Sequence, residues 1–297
     1  MGVPLKPSLL RALPLAAVLA AAGCVHVPSG PPIVDEVEVG GASFRVVALE
    51  GDAGAARQVL RALAVAAPRA QRFVPLVSQV TLTLHPSHED LEKAVDREGY
   101  DWLRAWARQR TVDLQSPRTW GLWGAGDREV EELLAHELTH CAMFQAAPAG
   151  REEGSWVLLD VPRWFAEGMA SVAAGQGHRR ASVEKLREHW SEVAAGAGDG
   201  WLGSRLAQTG GSEPEPRGDP LLDPDPLYRE RADLVYGAAH HAFAALVAKH
   251  GEDAIRRIFE HVREGSTFAA AFRREIGVDP EAFADGFRRD VVAGKIR

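Results

Sequence analysis

His136-Glu137-Leu138-Thr139-His140 lies at the centre of a helical pattern over residues 127–145. The apolar stripe of this pattern consists of Val130, Leu133, Leu134, Leu138 and Cys141. At 3.6 residues per turn, positions 136 and 140 lie about 40° apart and about 6 Å along the helix axis. Two imidazoles placed in this way can converge on one Zn²⁺ ion at about 2.0–2.1 Å each. The motif therefore predicts a zinc site, and the alternative is two surface histidines on a polar helix.

A second segment supports the zinc interpretation, because it places one carboxylate in an apolar context. Glu167 follows His140 by 27 residues and lies in the middle of Pro162-Arg163-Trp164-Phe165-Ala166-Glu167-Gly168-Met169-Ala170. Pro162 suits the first turn of a helix. A buried carboxylate without a partner is costly, so Glu167 requires a cation nearby. A salt bridge to an arginine and simple exposure are the alternatives for this residue.

Together, these segments resemble the gluzincins, in particular the peptidase MA-like group of bacterial proteins. That group has the sequence His-Glu-Leu-Thr-His, then Trp-Phe-x-Glu-Gly-x-Ala, then a helix that bears a tyrosine. The resemblance implies that His136, His140 and Glu167 bind Zn²⁺ and that Glu137 is the catalytic base. It also implies a metal-activated water, peptide or protein substrates, and peptide-bond hydrolysis without a covalent intermediate.

Tyr236 is a candidate for a further catalytic role. It lies on a predicted helix from Arg231 to Lys249, which Gly251 terminates. In aminopeptidase N relatives, a tyrosine on a later helix stabilises the oxyanion, and Tyr236 is similarly placed. A buried tyrosine with a structural hydrogen bond is an equally good interpretation, and His240 is a weaker candidate for the same role.

One feature of the aminopeptidases has no match here. Their Gly-x-Met-Glu-Asn strand binds the free amine of the substrate, whereas the nearest segment in this chain, residues 115–121, lacks such a glutamate. We therefore expect an endopeptidase or oligopeptidase. The alternative from another functional class is a non-catalytic lipoprotein that keeps the fold and acts as a binding or assembly factor.

The N-terminal residues have the features of a lipoprotein signal. Residues 1–23 contain two positive charges followed by a short apolar run, and they end in Ala21-Ala22-Gly23-Cys24, which resembles the bacterial lipobox. We expect lipidation of Cys24, a tether over residues 24–32 and a location on the periplasmic face of the outer membrane. A cleaved signal with an incidental cysteine is the alternative.

The remaining pattern predicts an α+β fold. Residues 33–126 alternate strands and helices and predict a small sheet, whereas residues 127–297 are mainly helical and zincin-like by resemblance. In the first part, alternating apolar residues on both sides of Gly40-Gly41 predict a hairpin. A further helix is predicted to start near Ser87 and to carry Leu91, Val95, Trp102 and Trp106. The range 195–227 is rich in Gly, Pro, Asp and Glu and is either a lid or, as we favour, a flexible insertion.

Composition excludes one class of partner. The net charge of -7 and the pI near 5.9 provide no basic surface for a phosphate backbone, so we expect no nucleic-acid binding. Besides Cys24, Cys141 is the only other cysteine in the sequence, and we expect it to be buried in the apolar stripe of its helix.

Overall fold

The computed structural model describes residues 29–146, 160–198, 218–228 and 230–296. The predicted signal peptide, Cys24, the first part of the tether and residues 199–217 of the predicted insertion lie outside the described residues.

Five strands form one mixed sheet in the order β1-β2-β3-β5-β4. The strands are β1 (Pro32–Val39), β2 (Ala42–Leu49), β3 (Val80–His85), β4 (Ala105–Ala107) and β5 (Thr111–Gln115). β2, β3 and β5 run parallel to one another, whereas β1 pairs antiparallel with β2 and β4 pairs antiparallel with β5. The short strand β4 therefore forms one edge of the sheet.

The first two strands form the hairpin that the sequence predicts. Gly40 and Gly41 connect them with φ angles of +59° and +78°, a left-handed conformation that favours glycine. Val37 pairs with Phe44 across the hairpin. This register turns Phe44 and the alternate residues of β2 into the core, where they are buried.

The rest of the described chain is mainly helical. The helices are α1 (Ala53–Ala70), α2 (His88–Val95), α3 (Asp127–Gln145), α4 (Arg163–Ala174), α5 (Val183–Gly198), α6 (Ala232–His250), α7 (Glu252–Arg263), α8 (Phe268–Ile276) and α9 (Pro280–Val292). The predicted α+β class, with a small sheet followed by a helical region, is confirmed. None of the described helices combines the length and the apolar character needed to cross a membrane.

The core continues from the sheet through the helices. α1 packs against α3 and β2, α3 packs against α4, and α4 packs against α6. Phe165 of α4 is fully buried and contacts Phe243 and Phe268 at ring-centroid distances of 5.1 and 4.8 Å. A smaller cluster, formed by Leu91, Val95 and Leu103, lies beneath α2.

Gly168 explains how α4 and α6 approach each other so closely. A Cβ atom at this position would overlap the carbonyl oxygen of Ala239 and would lie 2.6 Å from Cβ of Phe243. A glycine next to Glu167 therefore sets the distance between these two helices.

The region after α2 differs from the sequence prediction. The predicted helix from Ser87 through Trp102 and Trp106 is wrong beyond Val95. Asp96 adopts a left-handed conformation with φ +54° and ends the helix. Trp106 lies instead in β4. Three residues are too few to give the alternating pattern by which a strand is recognised.

The described part of the predicted insertion over residues 195–227 is also more ordered than its composition indicates. α5 continues to Gly198, and Leu221 and Leu227 are buried. Asp219 forms a salt bridge of 3.0 Å with Arg288. Leu221 lies in a turn and Leu227 in a short 3-10 helix, and neither gives a periodic signal in the sequence.

Candidate metal centre

Two helices bring three candidate metal ligands together. His136 and His140 project from α3, and Glu167 projects from α4, which packs against α3. Nε2 of His136 lies 3.2 Å and Nε2 of His140 lies 3.7 Å from Oε2 of Glu167. One ligand atom from each residue lies within 4.8 Å of the other two.

This donor set fits a zinc ion. Tetrahedral zinc with ligands at about 2.0–2.1 Å separates neighbouring ligand atoms by roughly 3.3 Å. The two distances to Glu167, 3.2 and 3.7 Å, are close to that value. Two imidazoles and one carboxylate also form the ligand set of catalytic zinc sites that keep one coordination position open.

Gln176 orients the first histidine, and sequence reasoning did not find it. Its Oε1 atom lies 3.1 Å from Nδ1 of His136, which donates the hydrogen bond because the amide oxygen only accepts. Nε2 of His136 thus faces Glu167. Gln176 Nε2 donates in turn to the carbonyl oxygen of Glu132 over 3.3 Å. No motif in the sequence marks Gln176.

Burial and mutual attraction set the pKa values of the three ligands. Burial lowers the pKa of His136 to about 4, although Glu167 opposes this shift. Burial acts to lower the pKa of His140, but the charge of Glu167, its hydrogen bond to His140 and the charge of Glu137 together outweigh burial and raise that pKa. Burial opposes ionisation of Glu167, yet His140 and His136 hold its pKa well below the usual range. Glu167 is therefore an anion, as a metal ligand must be.

Glu137 lies between the ligand cluster and the edge of the sheet. Burial raises its pKa to about 7; His140 acts against this shift, Glu167 reinforces it, and a hydrogen bond from the backbone amide of Ala107 opposes it. A carboxylate with a pKa near neutrality is suited to accept and return a proton. α3 packs on β4, so Glu137 is positioned by the strand that the sequence did not predict.

Tyr236 also lies at this site. Its ring centroid is 6.5 Å from that of His136, and it lines the same cavity as Glu137 and Glu167. Burial raises the pKa of its phenol well above 10, with the charge of Glu167 acting in the same direction, so the hydroxyl keeps its proton. The guanidinium carbon of Arg180 lies 5.0 Å from the centroid of the Tyr236 ring.

His240 does not face the ligand cluster. Its Nδ1 atom lies 3.0 Å from Oγ of Ser171, and its Nε2 atom lies against Gly177. Burial lowers the pKa of His240 to about 4, so it is neutral at pH 7. Of the two candidates on α6, only Tyr236 lines the described cavity.

Two adjoining cavities lie at the candidate metal centre. The smaller one is lined by His136, Glu137, His140, Glu167 and Tyr236. The larger one has a volume of about 370 Å³, shares Glu167 and Tyr236 with it, and has mainly aromatic walls: Tyr100, Trp102, Trp106 and Tyr228. Arg97 and Arg163 stack on Trp106 and Tyr228 at the cavity edge.

The strand beside the candidate metal ligands is β4. Ala105 and Ala107 of β4 line the smaller cavity, whereas residues 115–121 do not. Among the described residues that line the two cavities, the acidic ones are Glu137, Glu167 and Asp225. Asp225 accepts a hydrogen bond of 2.6 Å from Arg163.

No protein-family model matches the sequence, and neither does any curated protein. Solved structures do match. The M1 zinc metallopeptidase from Deinococcus radiodurans is 15% identical over 88% of this chain and 51% of its own, with a TM-score of 0.38. A mutant of that enzyme bound to a Tyr-Ser-Ala substrate is 13% identical over 88% and 51%, with a TM-score of 0.34.

An aminopeptidase N family protein from Idiomarina loihiensis is 12% identical over 87% of this chain and 46% of its own, with a TM-score of 0.45. The chain spans about half the length of these solved structures.

Proposed function

We propose that the protein is a zinc-dependent peptidase that cleaves internal peptide bonds, as an endopeptidase or oligopeptidase. The proposal rests on one observation: His136, His140 and Glu167 converge beside Glu137 at the end of a cavity. Three ligands and an adjacent carboxylate are the parts that metal-assisted hydrolysis requires.

His136, His140 and Glu167 would hold the zinc ion, with Gln176 fixing the orientation of the first imidazole. Zinc bound there would polarise the scissile carbonyl and lower the pKa of a water molecule from about 15.7 toward about 7. Proton transfer and stabilisation of the developing negative charge are carried out by side chains of the protein.

Glu137 takes the proton of the attacking water and passes it to the leaving amine. Its pKa of about 7 lets it accept a proton in one step and return it in the next at neutral pH. The protonated hydroxyl of Tyr236 donates a hydrogen bond to the carbonyl oxygen of the substrate, where negative charge develops.

The cavity walls favour an internal segment of a peptide over a free N-terminus. A terminal ammonium needs a carboxylate, and Glu167 and Glu137 have other roles in this mechanism, whereas Asp225 is bonded to Arg163. The aromatic walls offer large apolar contact to side chains of the substrate. β4 lies at the edge of the sheet, where an extended peptide can align as an added strand.

We further propose that the protein is anchored in the bacterial cell envelope, on the periplasmic face of the outer membrane, through lipid on Cys24. The charged start, the short apolar run and the small residues before Cys24 support this location. Its substrates would then be envelope proteins or peptides.

The experiment is a peptide-library digest with the chain from Val25 onwards, which keeps every described residue. The library contains each peptide with a free and with an acetylated N-terminus. We expect cleavage of both forms, its loss on chelation and its recovery with added Zn²⁺. Cleavage restricted to free N-termini would indicate an aminopeptidase. A zinc-loaded protein without any cleavage would favour the binding or assembly factor.

A further inference from the structure

Leu122 and Trp123 are the most exposed large apolar residues that the structure describes. Their exposed fractions are 89% and 97%, whereas the other exposed large apolar side chains of the described chain range from 42% to 61%. Burial of Trp123 contributes almost nothing to folding, because this side chain buries almost no apolar surface. An adjacent exposed pair of this kind is typical of a surface that contacts a partner.

The backbone directs this pair outward in a turn, which we name the 121–124 loop. Gly121 and Gly124 flank the pair with φ angles of +66° and +73°, a conformation that other residues rarely adopt. At the base of the loop, Ala125 donates a backbone hydrogen bond of 2.7 Å to Pro117. The indole of Trp120 turns inward and donates to the carbonyl oxygen of Gln115 over 3.1 Å.

The loop lies close to Ser29, the first residue that the structure describes. Arg118, against whose backbone Gly124 packs, donates 2.9 Å to the carbonyl oxygen of Gly51. Gly51 in turn donates 2.8 Å to the carbonyl oxygen of Ser29, the first described residue. Four residues lie between Cys24 and Ser29. The five residue steps from Cys24 to Ser29 span at most roughly 18 Å when the chain is extended.

We propose that the 121–124 loop inserts Leu122 and Trp123 into the surface of a lipid bilayer. A lipid on Cys24 would hold this face of the protein within reach of the segment from Cys24 to Ser29, and the proposal uses that lipidation only to orient the face. Tryptophan prefers the membrane interface, where its ring is apolar and its N–H stays hydrated. Insertion of the loop gives the second membrane contact that stable, oriented anchoring needs.

The charges around the loop indicate apolar insertion and not attraction to anionic lipids. Arg118 lies 3.8 Å from the carboxylate of Asp52, and Arg61 lies 3.8 Å from that of Asp127. The basic side chains beside the loop thus have acidic neighbours. Binding to uncharged vesicles is therefore expected.

The test uses the chain from Val25 onwards, so that no lipid contributes, with phosphatidylcholine vesicles in a flotation assay. We expect the protein to float with the vesicles and brominated lipids to quench part of its fluorescence. Leu122→Ser/Trp123→Ser should bind at least about tenfold more weakly, because both side chains lose their apolar contact. The matched control is Val278→Ser/Val292→Ser, which removes two other exposed apolar residues and should bind like the wild type.

Equal flotation of the loop variant and the wild type, or no flotation of the wild type, would overturn the proposal. Binding that requires phosphatidylglycerol and disappears in salt would replace it with an electrostatic surface. A concentration-dependent dimer that the loop variant loses, measured by ultracentrifugation, would assign the loop to a second copy of the chain. The loop variant should keep its peptidase activity in solution. A failure of the membrane proposal can therefore be told apart from a failure of the proposed peptidase function.

Discussion

Nδ1 of His136 lies 3.1 Å from Oε1 of Gln176, so an amide on the short turn after α4 determines which nitrogen of a candidate metal ligand is free to bind. Such outer partners fix the tautomer of a ligating histidine and raise its affinity for the metal.

Gln176→Leu should therefore weaken zinc binding by roughly 10–100-fold, because Nδ1 of His136 loses its acceptor. Gln176→Glu keeps an acceptor and should bind zinc nearly as well as the wild type. Chelator competition measures both affinities, and thermal unfolding verifies the fold. Equal zinc affinity of the leucine variant and the wild type would show that Gln176 does not orient the ligand.

Glu137→Gln and His136→Ala should fail in different ways. The glutamine is nearly isosteric and replaces a residue that is not a ligand, so zinc should stay bound while the rate falls by roughly 10²–10⁴. His136→Ala should lose both metal and activity. Metal content and peptide hydrolysis are measured on the same preparations. Wild-type hydrolysis by a zinc-loaded glutamine variant would exclude Glu137 as the base.

Tyr236→Phe should lower kcat by roughly 10²–10³ and leave KM and zinc content nearly unchanged, because it removes a donor used in the transition state. The ring contacts of Tyr236 with His136 and Arg180 remain available to phenylalanine. A fall in melting temperature with unchanged kcat would instead assign the hydroxyl a structural role.

Removal of zinc should lower the melting temperature, since a ligand bound only by the folded state stabilises it by about 4 kcal/mol at a thousandfold excess over Kd. Zinc would link α3 to α4 through His136, His140 and Glu167. When zinc is present, Glu167→Ala should have a lower melting temperature than the wild type. Added zinc should raise the melting temperature of the variant only a little. Melting curves of both proteins with and without chelator provide the comparison. Identical melting curves of the wild type with and without chelator would contradict a metal that connects the two helices.

Gly168→Ala should destabilise the fold by about 1–3 kcal/mol, the usual cost of overpacking, because its Cβ would overlap the carbonyl oxygen of Ala239. Since Glu167 is adjacent, zinc affinity should fall as well. The control is Gly286→Ala in α9, where the added Cβ would lie within 4 Å of no atom beyond its chain neighbours and the backbone of its own helix. That change should stabilise the helix by about 0.5–1 kcal/mol. Urea unfolding measures both free energies.

Much of the architecture follows from local sequence patterns. The helix over residues 127–145 has the boundaries that the sequence predicts, because its apolar stripe and its acidic first turn are both local signals. The spacing of His136 and His140 is likewise a property of one helix. That Glu167 reaches the same point depends on packing between α3 and α4, and it was inferred only from its apolar neighbours and a family resemblance.

The walls of the site could not be predicted in this way. β4 is three residues long, and Trp102 and Trp106 fit a helical stripe as well as a strand, so the wrong element was chosen. Gln176 and Arg180 acquire their roles only when the turn after α4 folds back against α3. Contacts between segments distant in sequence leave no periodic signature.

Arg180 has a consequence for how this site can change over evolution. One guanidinium donates to Oε1 of Gln176 and to Oγ of Ser171, and it also stacks on the ring of Tyr236. The support of a metal ligand and the placement of the tyrosine thus share a single side chain. Substitution of Arg180 would therefore disturb the support of His136 and the placement of Tyr236 at once. Divergent descendants must keep this arginine or replace it together with its partners.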